Sequence, residues 1–268
     1  MIINNLKKIF KNLKLFFSYR ELLWNLAYRE INQRYKQSIL GYAWVVLNPL
    51  FQLLVLTFVF STIFRVSSYN VPYIVFLIVG LLPWNFFVQS LSSSTNALVS
   101  NSSLITKIYF PREILIYSTI IAKIIDFFYS VLILIVFFIF YKINLNINAF
   151  WVIVYFLIQL IFIAGLSLFL ASFNLFYRDI QYLLNLIISM WFYLTPIIYP
   201  VEQFPEKYRF IFSINPMSVI INGYRQTVLG GGEPNYKNLI SVFIFSLVFF
   251  MIAFLYFKKQ EGKFADYV

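Results

Sequence analysis

Cysteine and histidine are both absent from the 268-residue chain. Their absence removes disulfides, the thiol nucleophile, the imidazole proton shuttle and the usual zinc ligands. Charge is scarce, at 12% of residues, and acidic groups are scarcest, with 10 Asp and Glu against 21 Lys and Arg. The carboxylates are scattered, and no two inside an apolar stretch stand at metal-ligand spacing. A membrane transferase that holds a diphosphate through magnesium needs such a cluster, so that enzyme class is disfavoured. No Gly-x-x-x-x-Gly-Lys-Ser/Thr phosphate loop occurs either.

What the chain has in abundance is apolar sequence, 61% of its residues. Six stretches, Gly41 to Phe64, Val71 to Leu91, Ile114 to Tyr141, Ala149 to Phe176, Ile180 to Tyr199 and Leu239 to Phe257, are near or above the roughly 20 residues a helix needs to cross a bilayer. Lipid offers no partner to an unpaired backbone group, and the alternation of a membrane barrel is missing. The expected fold is an all-α integral membrane protein: six transmembrane helices over 41–257, an amphipathic region over 1–40 and a short tail over 258–268. The first apolar stretch starts too late for a signal peptide, so the N-terminus is expected to stay in the mature chain. Lys and Arg before Gly41, with Lys107, Arg112, Arg178, Lys258, Lys259 and Lys263, outnumber Arg65, Lys142, Lys207, Arg209, Arg225 and Lys237 of the alternate loops. That bias puts both termini in the cytoplasm. The net charge of +11 then reads as topology and contact with anionic membrane lipids, with no call for nucleic acid.

Within the spans only Lys123 and Asp126 are ionisable. Three residues apart, they share a helix face, either as a structural ion pair or as a working relay. The first 40 residues hold two segments of helical spacing. In the first, Ile2, Ile3, Leu6, Ile9, Phe10, Leu13, Phe16 and Phe17 oppose Lys7, Lys8, Lys11 and Lys14, the pattern of a helix lying in the headgroup plane. In the second, Tyr19, Leu22, Leu23, Leu26, Ala27 and Ile31 oppose Arg20, Glu21, Asn25, Arg29 and Glu30, a mixed-charge face that suits a protein partner or an interfacial anchor. Between spans two and three, the segment 101–113 carries Leu104, Ile105, Lys107, Ile108, Tyr109 and Phe110 before Pro111, Arg112 and Glu113. Apolar groups in so short a loop need something to bury them. Pro111 fits the first turn of the third helix, with Glu113 near its positive end.

The run Arg34-Tyr35-Lys36-Gln37-Ser38-Ile39-Leu40-Gly41, with Trp44, Asn48 and Pro49 beyond it, resembles the permease subunits of polysaccharide-exporting ATP-binding-cassette transporters. So do Phe110-Pro111-Arg112-Glu113, Phe176-Tyr177-Arg178-Asp179, Thr195-Pro196-Ile197-Ile198-Tyr199-Pro200, Asn215-Pro216-Met217 and Tyr224-Arg225. Such permeases export O-antigen, teichoic acid or capsular chains carried on a lipid pyrophosphate across the bacterial inner membrane. The resemblance implies a homodimer served by two separate ATPase subunits, which hold ATP and magnesium, with no catalytic residue, cofactor or metal on this chain. It implies that Leu104, Lys107, Tyr109, Phe110, Pro111, Arg112 and Glu113 form a coupling segment. The second amphipathic segment, with Arg20, Glu21, Arg29 and Glu30, would be a gate helix that docks on the ATPase, joined by Arg178 and Asp179 of the tight turn between spans four and five. It also implies two short re-entrant helices in the external segment 200–237.

Aromatics make up 22% of the chain. Trp44, Phe51 and Phe58 recur every seven residues on one side of span one, with Asn48 and Gln52 adjacent. This stripe either lines a translocation path, where rings stack on sugars, or packs against other helices. Trp191 and Tyr193 of span five are weaker candidates for the path. Arg225 is read either as an attractor for a pyrophosphate or lipid headgroup or as one half of a structural salt bridge within the loop. The function expected is the conduit subunit of an ATP-driven exporter of lipid-linked polysaccharide, with a drug or small-lipid exporter and a non-transporting membrane scaffold as alternatives.

Overall fold

A computed structural model describes residues 18–36, 38–66, 71–230 and 232–267, all of whose regular structure is helical. The first amphipathic segment, Ile2 to Phe17, lies outside the described residues. An amphipathic helix α1 (Arg20–Tyr35) leads to α2 (Ala43–Thr57), which continues as a π-helix over Phe58–Ile63. Helix α3 (Tyr73–Thr95) is followed by the short α4 (Ala97–Ser100) and α5 (Ser102–Lys107), and then by the long α6 (Glu113–Phe140) and α7 (Trp151–Phe176). Next come α8 (Ile180–Tyr193), α9 (Glu206–Ile214), α10 (Pro216–Val228), α11 (Tyr236–Gln260) and α12 (Phe264–Tyr267).

Five of these, α2 with its π extension, α3, α6, α7 and α11, are long and apolar enough to cross a membrane. Helix α3 sits at the centre and is the most buried of the five, packing on α2, α6, α7, α8 and α10. Its sequence suits that place, with apolar side chains all round, from Val75 to Leu82, and no charge. Helix α1 lays its stripe of Leu23, Leu26, Ala27 and Ile31 against the bundle, chiefly along α6, and leaves Arg20, Glu21 and Asn25 in solvent. Gly41, in the turn between α1 and α2, has φ +50, a left-handed conformation open to glycine at little cost.

The fifth apolar stretch departs from expectation. Instead of one helix from Ile180 to Tyr199, α8 stops at Tyr193 after 14 residues, a length of about 21 Å and short of the roughly 30 Å hydrocarbon core. Pro196 has no N–H to continue the ladder, and the Thr195 hydroxyl turns back to donate to the Trp191 carbonyl at 2.8 Å. In the short tail, α11 runs on to Gln260 and α12 folds back against α5 and α7.

Candidate functional site

At one end of the bundle, α5 and the following Pro111-Arg112-Glu113 turn form a compact corner. Its residues divide sharply by exposure. Tyr109 is 92% exposed and Ile108 and Lys107 also face outward, whereas Ile105, Phe110 and Glu113 are buried. Leu104, Pro111 and Arg112 are half-buried. Glu113 lies within 2.7 Å of Lys258 from α11, and the Arg112 side chain donates to the Glu261 carbonyl at 2.6 Å. Arg29 of α1 donates to the Asn101 side chain just ahead of α5, so α1 and the corner are tied together. Glu30 is paired internally with Arg34 at 3.3 Å, while Arg20 and Glu21 remain exposed. Tyr177, Arg178 and Asp179 form an exposed turn at the same end.

Farther into the membrane, the Lys123 and Asp126 pair gains a member that sequence spacing alone does not supply. Arg34, at the end of α1, donates to Asp126, and Lys123 stands 3.7 Å from the same carboxylate and 3.5 Å from Gln89 Oε1. With Glu30, the four side chains carry no net charge. Asp126 is about 13 residues from the start of α6 and about 14 from its end, roughly 20 Å from either, which puts the cluster near the middle of the helix. The signal for Arg34 was its place four residues after Glu30 on the polar face of α1; its partner required the tertiary fold.

That cluster shares a small cavity, about 50 Å³, with Trp44, Asn48, Asn85 and Ser130. The candidate path residues at the start of α2 and the buried charges thus meet in one place. Trp44, Phe51 and Phe58 are 38%, 56% and 62% exposed, so the stripe is not covered by this chain's own helices. Asn48 and Gln52 are exposed as well, with the Gln52 side-chain oxygen accepting from Asn85 at 2.9 Å. Tyr193 on α8 is exposed. Trp191 is packed differently: its indole meets Phe87 edge-on at 5.3 Å and donates to Asn215 Oδ1 at 3.0 Å.

At the opposite end, Arg225 of α10 is buried. Its guanidinium donates to the carbonyls of Phe76, Pro196 and Ile197 and lies 3.6 Å from the centre of the Phe76 ring. Arg225 also lines a cavity of about 620 Å³ together with Pro200, Glu202, Asn222 and Gln226. The bonds to Pro196 and Ile197 satisfy carbonyls that the early end of α8 turns inward, a requirement for non-helical backbone at membrane depth. Tyr73 helps by donating to the Ile198 carbonyl at 2.7 Å. Gly80 makes room, because a Cβ there would stand 2.5 Å from the guanidinium. Beside it, the Tyr224 hydroxyl donates to Gln159 Oε1 at 3.0 Å, and burial holds that phenol well above the ordinary tyrosine range. Among the described residues, no group of acidic side chains is placed to hold a metal ion.

The sequence profile described as "ABC-2 type transporter" matches residues 21–229. The O-antigen export system permease protein RfbA of Klebsiella pneumoniae is 32% identical over 247 residues, covering 92% of this chain and 94% of that protein. The protein of the same name from Myxococcus xanthus is 30% identical over 254 residues, with 93% and 96% covered. The polysialic acid transport protein KpsM of Escherichia coli is 25% identical over 244 residues, with 88% and 92% covered. The profile spans well over half of the chain and the permeases align with it almost end to end, so the chain belongs to the ABC-2 type transporter family.

Proposed function

We propose that the chain is the conduit-forming subunit of an ATP-driven exporter that moves lipid-linked polysaccharide of the O-antigen or teichoic acid type across the bacterial inner membrane. The near end-to-end similarity to O-antigen export permeases carries this reading. It crosses the membrane six times, with α8 and the segment after it making the fifth crossing. The end bearing α1, α5 and α12 faces the cytoplasm, where Lys and Arg concentrate. Two copies form the conduit, and the stripe of Trp44, Phe51 and Phe58 faces it with Asn48 and Gln52. Rings stack on sugar faces without fixing a hydrogen-bond pattern, which suits a repeating polymer sliding past.

ATP is hydrolysed, with magnesium, by two partner ATPases that dock on the exposed side of α5. Tyr109 is the anchor best placed for that contact, with Lys107, Arg178 and Asp179 around it. Arg20 and Glu21 extend the same surface on α1, whereas Arg29, Phe110, Arg112 and Glu113 hold the corner in shape behind it and Glu30 pairs with Arg34. Helices α9 and α10 wall the exit on the outer side.

The test is reconstitution of this chain with its ATPase in proteoliposomes, measuring ATP-dependent movement of lipid-linked glycan against the free lipid carrier. Glycan-dependent transport that falls when Tyr109→Ala weakens ATPase binding supports the reading. Transport without any ATPase, or equal transport of the free lipid, refutes it.

A further inference from the structure

The residues after the last long helix form a clasp over the corner, and it lies beyond the stretch matched by the family profile. Arg112 is the N-terminal flanking residue of α6, whose first N–H groups have no partner inside the helix. Glu261 supplies one from another element: its Oε1 accepts from the Arg112 backbone N–H at 2.9 Å. The Glu261 carbonyl also accepts from the Arg112 guanidinium, and its Oε2 lies 2.9 Å from Lys258, which in turn contacts Glu113 at 2.7 Å. A carboxylate at a helix N-terminus is stabilised further by the helix dipole.

Packing fixes where Glu261 stands. Phe264 is fully buried against Phe257 of α11, ring centres 5.1 Å apart, and against Phe176 at the end of α7. Tyr267 meets the same Phe176 edge-on at 4.9 Å. The segment therefore joins both turns of this end of the bundle to the last long helix.

On the reading given above, we infer that Glu261 is a positioning residue for export: acting through Arg112 and Lys258, it makes the coupling corner, α6 and α11 move as one body. A push on α5 then reaches α11 directly instead of being lost in flexing of the 108–112 turn.

This chain has no cysteine of its own, so labels can be placed on it at chosen sites within the whole complex. Spin labels at Ser103→Cys and Lys259→Cys, both at exposed positions, report the distance between α5 and α11. With Glu261→Ala, the expected result is a broadened distance distribution and roughly two- to thirtyfold less glycan exported per ATP hydrolysed, with ATPase binding retained. Glu261→Asp restores part of the export. A purely structural role would lower export and ATP hydrolysis together through loss of folded complex. That outcome, or unchanged export per ATP, overturns the inference. A wild-type complex that hydrolyses ATP without moving glycan defeats the transport reading itself, and this role with it, whatever the labels report.

Discussion

Replacing Asp126 by asparagine should be much more damaging than removing the cation beside it. At 3.7 Å and an effective dielectric of about 20, the Lys123 to Asp126 attraction is about 4 kcal/mol before the cost of burying both charges, which offsets most of it. Breaking a buried pair from one side leaves the other charge uncompensated, at about 3–5 kcal/mol. Asp126→Asn takes the shared carboxylate from two cations, Arg34 and Lys123. The Arg34 side chain is 26% exposed and can recover some water, so about 3 kcal/mol, the lower bound, is expected. Lys123→Met leaves the Arg34 to Asp126 contact intact and should cost about 1 kcal/mol or less. The double variant leaves Arg34 and Glu30 paired, with no net charge in the cluster. Its loss should be about 2 kcal/mol, less than the sum of the single losses by about 1–2 kcal/mol, the coupling expected of groups in one network. Denaturant unfolding of the purified chain in detergent measures all three. An Asp126→Asn variant within about 0.5 kcal/mol of wild type, or additive losses, would refute the neutral-cluster argument. Export by the double variant should remain mostly intact, which a proton relay would not permit.

Arg225→Lys keeps the charge but cannot reach three carbonyls in a fixed plane, so a loss of about 2–3 kcal/mol is expected by thermal unfolding, with no change in affinity for phosphate headgroups. Gly223→Ala drives a methyl into the Tyr155 ring and should cost about 1–3 kcal/mol in the same assay. Phe110→Ala empties a buried site and should lower stability by about 3–5 kcal/mol, whereas Tyr109→Ala should change it by less than about 0.5 kcal/mol and instead weaken ATPase association in a pull-down titration. Phe51→Ala with Phe58→Ala should leave the unfolding of the solubilised chain within about 1 kcal/mol of wild type, yet reduce export in proteoliposomes; full export would remove the stripe from the path.

Much of the architecture was legible because lipid allows so few solutions. An uncharged apolar run near 20 residues has to become a helix, and the stripe of Leu23, Leu26, Ala27 and Ile31 had to find an apolar surface. The candidate site was legible only in outline. Spacing grouped Lys107 to Glu113, but exposure separates Tyr109 from its neighbour Phe110, and adjacent residues in an irregular turn have no period from which to read that difference. Hydropathy also ran Ile180 to Tyr199 together, since it counts side chains and is blind to a backbone that leaves the helix after Tyr193, ahead of Pro196.

The sequence by itself determined the helical class and the approximate positions of the long helices, because these follow from local composition against the cost of unpaired backbone in hydrocarbon. Only the tertiary structure decided which charges meet. Arg34 and Asp126 are 92 positions apart, Arg112 and Glu261 149 apart, and Arg225 and the Pro196 carbonyl 29 apart. Partners at such separations are chosen by how the helices pack, and a linear pattern carries no record of that choice.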